Sequence, residues 1–120
     1  METLEKAILC LEIIKERKAI EPVLFEMEKL TSITDYFLIA SGNSTRQVQA
    51  IALHLTKRMR EAGFRAYGRE GEQEGHWILM DYGDVVIHLF YQPVREFYDL
   101  EGLWVEAPRV ELDEDKKQTY

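Results

Sequence analysis

The run Val85-Val86-Ile87-His88-Leu89-Phe90-Tyr91 presents apolar side chains to both sides of an extended backbone. A strand alternates its side chains between two faces, so a segment with no polar face has to be covered twice. Trp77-Ile78-Leu79-Met80 has the same character, with Trp77 and Leu79 against Ile78 and Met80. Asp35-Tyr36-Phe37-Leu38-Ile39-Ala40 reads as a third such strand and a central one. Whatever this chain folds into, its sheet needs material on both faces.

Two helices are available for one face. Leu4, Ala7, Ile8, Leu11 and Ile14 follow helical spacing, with Glu5, Glu12 and Glu16 on another side turned to water or a partner. Val48, Ile51, Ala52, Leu55 and Met59 form a second stripe. It opens at Ser44 with Gln47 three residues on, a capping box, and Gly63 is its stop. Pro22 ends the first helical region, and Val23 to Met27 then reads as a short strand with proline at its start. Phe64 to Tyr67 is a weak strand candidate. Asp81-Tyr82-Gly83-Asp84 reads as a hairpin turn, with glycine available for positive φ, and a short helix runs from Pro93 to about Leu100.

The order is helix, strand, strand, helix, three strands, helix. The connection through the Ser44 helix carries a parallel crossover and the Asp81 turn an antiparallel pair, so a single α/β domain with a mixed sheet follows. A chain of 120 residues can bury roughly 65% of its unfolded surface in one core. After Ala107 the sequence turns polar and charged and is expected to be a disordered tail.

Composition narrows function. No apolar run is long enough for a membrane helix, and Met1-Glu2-Thr3-Leu4-Glu5-Lys6 lacks the basic start of a secretory signal. Cys10 is alone, which excludes an internal disulfide and favours the cytoplasm. The net charge of −7 repels RNA from the chain as a whole, although a local basic patch stays open, and suits a basic protein partner.

Catalytic readings each meet a simpler one. Ser41-Gly42-Asn43-Ser44 lies before a helix N-terminus, where a phosphate can sit, yet it lacks the glycines of a dinucleotide fingerprint and the lysine of a P-loop. Asp81 and Asp84 invite a magnesium site, but they flank a turn, where aspartate is common anyway. His54, His76 and His88 have no zinc spacing, and a triad of His88, Asp84 and a loop serine lacks a Gly-x-Ser-x-Gly elbow. Cys10 sits among helix residues as a small hydrophobe. Trp77 is either core or the anchor of a contact, since tryptophan leads among interface hot spots.

Three ordered blocks resemble the ribosomal silencing factor family, also called Iojap-like. They are Asp35 to Val48, Trp77 to Phe90, and Arg95-Glu96-Phe97-Tyr98-Asp99-Leu100-Glu101 ending in Leu103-Trp104. The likeness covers about residues 1–107 and leaves the tail of 108–120 without family meaning. Gly102 stands where relatives often carry a charged residue, which would loosen the last helix. The resemblance implies an α/β domain with a mixed five-stranded sheet and flanking helices, similar to nucleotidyltransferases without their catalytic residues. It implies a homodimer, no catalysis and no cofactor or metal. It also implies binding to the large ribosomal subunit through universal ribosomal protein 14, which blocks joining of the small subunit and represses translation under nutrient limitation.

Trp77, Asp81, Tyr82, Asp84 and His88 are then expected at or near the ribosomal contact, with Trp77 as apolar anchor and the carboxylates meeting basic groups. Two alternatives accompany this reading. One is a scaffold for large-subunit assembly; the other is a nucleotidyltransferase-like enzyme using the Ser41 loop and Asp81/Asp84.

Overall fold

The two long apolar stripes form helices that lie together on one face of the sheet. The computed structural model describes residues 2–111, as α1 (Thr3–Glu16), β1 (Ile20–Glu26), β2 (Tyr36–Gly42), α2 (Thr45–Glu61), β3 (Gly68–Glu70), β4 (Trp77–Asp81), β5 (Val85–Tyr91), α3 (Gln92–Tyr98) and α4 (Leu100–Leu103). The sheet order is β1-β2-β5-β4-β3. β2 and β5 run parallel across the α2 crossover, and the other neighbours are antiparallel. The mixed five-stranded sheet is thus the architecture the chain adopts.

The larger core lies under α1 and α2. Leu38, Ala40, Ile78, Met80, Ile87 and Leu89 from the strands meet Cys10, Ile14, Ile51, Leu55 and Met59 from the helices, all at most 1% exposed. Each fully buried side chain of this size stabilises the fold by about 1.5–3 kcal/mol relative to exposure. The buried side of α1 is centred on Ala7, Cys10, Leu11 and Ile14, while Leu4, expected in the stripe, is 39% exposed in the first turn. Glu16, expected to face water or a partner, pairs with His54 and Arg58 of α2.

Helix α2 starts as its sequence requires. The Ser44 hydroxyl accepts the Gln47 N–H at 3.0 Å, and Gln47 Oε1 reaches back to the Asn43 N–H at 2.6 Å. Gly63, at φ +95°, follows its last turn. The weak strand at Phe64 to Tyr67 is displaced. Pairing begins four residues later, at Gly68, and Tyr67 donates to the Asp81 carbonyl just outside the ladder. Pro22 lies inside β1 and does not precede it. The strand carries a register shift between Ile20 and Val23, with Glu21 at φ +43°. A bulge on an edge strand is one of the few places where a sheet tolerates proline.

The second face is closed by the C-terminal segment. The helix expected from Pro93 to Leu100 breaks at Asp99, which adopts a left-handed φ of 44° and starts the short α4. Val94, Leu100, Trp104 and Ala107 pack against Val23, Phe25, Phe37, Ile39 and Phe90. Arg95, 5% exposed, holds this cover down. Its guanidinium donates to the carbonyls of Ile20 (3.0 Å) and Glu21 (2.8 Å) at the bulge, to Ser41 Oγ (3.0 Å) and to Glu101 Oε1 (2.8 Å). The tail does not begin at residue 108. Glu26 donates to the Pro108 carbonyl and Val110 to that of Leu24, which adds the segment to β1; the remainder of the expected tail lies outside the described residues.

Candidate functional site

Cover on the second face is uneven: Phe25 and Ile39 are buried beneath the C-terminal segment, and Val23 and Phe37 only partly. Cross-strand register puts Trp77 opposite Phe90, Leu79 opposite His88 and Asp81 opposite Val86. Trp77, Leu79 and Asp81 stay partly exposed, while Val86 and His88 are each 8% exposed. The Trp77 ring lies 4.9 Å from Phe90 and 5.1 Å from Tyr98 of α3. Phe97 and Tyr98 are 81% and 54% exposed, so this end of the sheet carries an aromatic surface. A cleft of about 550 Å³ runs beside it, lined by Gly71, His76, Trp77, Tyr91, Val94 and Phe97 among others.

One polar interaction organises this surface. Trp77 Nε1–H donates to His88 Nδ1 at 3.1 Å. An indole can only donate, so Nδ1 is the unprotonated nitrogen and the ring proton of neutral His88 sits on Nε2. Burial pushes the His88 pKa down to about 4, which keeps the ring neutral at physiological pH. The Nε2–H is buried and has no partner among the described residues, and the same holds for Trp104 Nε1–H. Both rings flank Phe37, with centroids at 5.0 Å for His88 and 5.9 Å for Trp104. A buried donor without an acceptor costs about 1–3 kcal/mol.

The five residues expected at one contact do not share one face. Trp77, Asp81 and His88 come together on the second face. Asp81 Oδ1 accepts the Gly83 N–H at 2.7 Å, where Gly83 takes φ +86° in the hairpin turn. Tyr82 turns to the helix side and is 1% exposed, because the side chain after Asp81 points the other way. Asp84 also faces α1: it pairs with Lys6 Nζ at 2.8 Å and accepts from Thr3 at 3.0 Å. Burial alone raises the Asp84 pKa, yet the hydrogen bonds from Lys6 and Thr3 and the lysine charge outweigh it and leave the carboxyl below its ordinary value. Tyr82 and Asp84 thus face the helices, away from Trp77, Asp81 and His88.

The groups proposed for nucleotide chemistry have other partners. The Ser41 hydroxyl is buried between Arg95 and Gln92, while the Asn43 N–H donates to Gln47 Oε1 and the Gln47 N–H to Ser44 Oγ. Asp81 and Asp84 are held on different sides of the turn. No group of three or more histidine, cysteine or acidic side chains gathers for a metal among the described residues. Cys10 lies 3.8 Å from Met59 Sδ, and burial pushes its thiol up to about 12, so it stays protonated.

Sequence reasoning missed Phe97 and Tyr98 as surface. Helical spacing gave no signal, because Phe97 and Tyr98 stand three and four residues after Val94, positions that normally share its sheet-facing side.

Comparison with known proteins agrees with the architecture. The family model described as ribosomal silencing factor during starvation matches residues 1–120. A ribosomal silencing factor of Halalkalibacterium halodurans is 42% identical over 113 residues, 94% of this chain and 97% of that protein. The mouse protein named mitochondrial assembly of ribosomal large subunit protein 1 is 32% identical over 99 residues, 80% of this chain and 43% of that one. A crystal structure from Chromobacterium violaceum superposes with a TM-score of 0.84 at 38% identity and 87% coverage of both chains. This chain belongs to the ribosomal silencing factor family.

Proposed function

We propose that this protein docks on the large ribosomal subunit through universal ribosomal protein 14, keeps the small subunit from joining, and so lowers translation when nutrients are scarce. The observation that supports it most is the Trp77 surface: a partly exposed tryptophan braced by Phe90, Tyr98 and His88, with an unsatisfied His88 N–H behind it. An aromatic anchor ringed by apolar groups is the composition of a binding hot spot. The net charge of −7 favours approach to a basic ribosomal protein, and Asp81, on the same face, offers a carboxylate to it. Obstruction requires only occupancy, so the mechanism uses no bond-making step, no cofactor and no metal. The protein acts in the cytoplasm, as a homodimer when free.

Trp77→Ala is the direct test. Pull-down of the purified ribosomal protein should fail while cooperative thermal unfolding persists, and unchanged binding would sink the proposal. Tyr98→Ala, at a more exposed position, should weaken binding even if the Trp77 variant loses stability. The assembly reading draws on the mouse relative's name. Sedimentation separates the two: mature subunits failing to pair when the protein is added indicates silencing. Heat from a magnesium nucleotide in calorimetry would argue for an enzyme instead.

A further inference from the structure

An acidic chain has little reason to crowd guanidinium groups, yet three converge on one small hollow. It lies on the helix side of the sheet, between the end of α2 and the β3 edge, and is lined by Thr56, Arg60, Phe64, Arg65, Arg69 and Tyr82. Its volume is about 210 Å³.

The usual reasons for a surface arginine account for only part of this. Arg60 sits in the last turn of α2, where a cation complements the helix dipole. Arg69 lies 3.6 Å from Glu72. Among the described residues Arg60 and Arg65 form no ion pair, whereas Arg58 and Arg95 both do. The local charge is therefore about +2, set against −7 for the chain.

The cleft is also built. The Thr56 hydroxyl donates to the Ala52 carbonyl at 2.9 Å and accepts from Arg69 Nη1 at 3.4 Å, which tethers that guanidinium over the hollow. Register agrees, because Arg69 opposes Met80 and so points to the helix side. Tyr82 contributes to the lining from within the core. Burial pushes its phenol up to about 12 while the nearby charges of Arg69 and Arg60 pull the other way. The hydroxyl thus stays protonated, and no hydrogen bond to it occurs among the described residues.

We propose that this cleft binds a phosphoryl group, held by Arg60, Arg65 and Arg69 with the Tyr82 hydroxyl as a neutral donor. Several oxygens and up to two negative charges match three guanidinium forks better than one carboxylate does. The volume is below the roughly 300–1,000 Å³ of sites that enclose a whole small-molecule ligand. A phosphate attached to something larger, or inorganic phosphate or pyrophosphate, fits; a fully enclosed nucleotide does not. The site faces away from Trp77, so it is independent of the docking surface.

Two-dimensional NMR of the full chain tests it, with inorganic pyrophosphate in one titration and a short oligoribonucleotide lacking terminal phosphates in the other. Amides of residues 64–69 and of Tyr82 should shift and saturate, and the affinity should fall as salt rises. A response to the oligoribonucleotide alone assigns the site to backbone phosphates, and one to pyrophosphate alone assigns it to a small anion. Arg65→Gln with Arg69→Gln should weaken binding about tenfold or more, equivalent to about 1.4 kcal/mol. The paired Arg→Lys variants, which keep charge but lose the forks, should lie between. Trp77→Ala should leave these shifts in place whatever it does to ribosomal docking. No response to either probe, or a response that survives Arg65→Gln with Arg69→Gln, overturns the proposal.

Discussion

The two faces of the sheet are made by the same strands and closed in different ways. On the helix side Leu38, Ile87 and Leu89 are fully buried beneath α1 and α2. On the other side the C-terminal segment buries Phe25 and Ile39 and leaves Val23, Phe37, Trp77 and Leu79 partly in water, and two buried ring N–H groups meet no acceptor among the described residues. The first face is optimised for stability. The second keeps apolar and polar capacity unused, which is what a surface reserved for a partner requires.

Leu89→Ala set beside Leu79→Ala probes this contrast most strongly. The two residues lie on neighbouring strands but on opposite faces. Leu89→Ala should cost about 3–5 kcal/mol through a cavity, while Leu79→Ala should cost about 1 kcal/mol because water already reaches the site. Urea unfolding measures both, and equal losses would break the distinction between the faces.

The second prediction concerns pH and belongs to the open face alone. His88 has a folded pKa of about 4 against an ordinary 6.5. Below pH 6.5 the unfolded chain binds a proton that the folded chain refuses, so stability falls as pH drops toward 4 and is level above 6.5. The loss should approach about 3 kcal/mol at 1.36 kcal/mol per unit. His88→Phe should flatten that slope, and an unchanged slope would show that the ring is not held neutral. The acidic arm from Asp84, whose carboxyl lies below its ordinary 3.8, falls outside this window at lower pH.

The smallest effect is expected at Asp84→Asn. It removes the Lys6 pair on the helix side, where the carboxylate is 34% exposed. Solvent screening limits the loss to about 0.5 kcal/mol, and added salt should shrink it further. A loss above 2 kcal/mol would mean that the rim of the helix face is as tightly built as its core.

Much of the architecture was legible because it rests on local rules. The α2 stripe and its Ser44–Gln47 cap, the doubly apolar β5 and the Gly83 turn depend on spacing and on backbone freedom that residue types reveal directly. Where the reading slipped, a distant contact had overridden a local preference. The β1 bulge at Glu21 exists because Arg95, far along the chain, satisfies its carbonyls. Residues 108–110, polar enough to read as tail, are held by backbone bonds to β1 that no side-chain pattern announces. At the site, the sequence brought Trp77, Asp81, Tyr82, Asp84 and His88 into one stretch of chain, but which face each side chain takes was left to the fold, and Tyr82 and Asp84 turn to the helix side.

By itself, then, the sequence determined that a mixed sheet had to be covered on both faces, because alternation leaves β4 and β5 no polar side. It also determined that the strands of Trp77 and His88 would be joined by one hairpin. Only the tertiary structure decided how complete each cover is. That depends on the break at Asp99 and on the Arg95 tether, which fix how far α3 and α4 extend across the sheet. Those contacts join residues some 75 positions apart, beyond the reach of any local period, and they are the reason the Trp77 edge is left open.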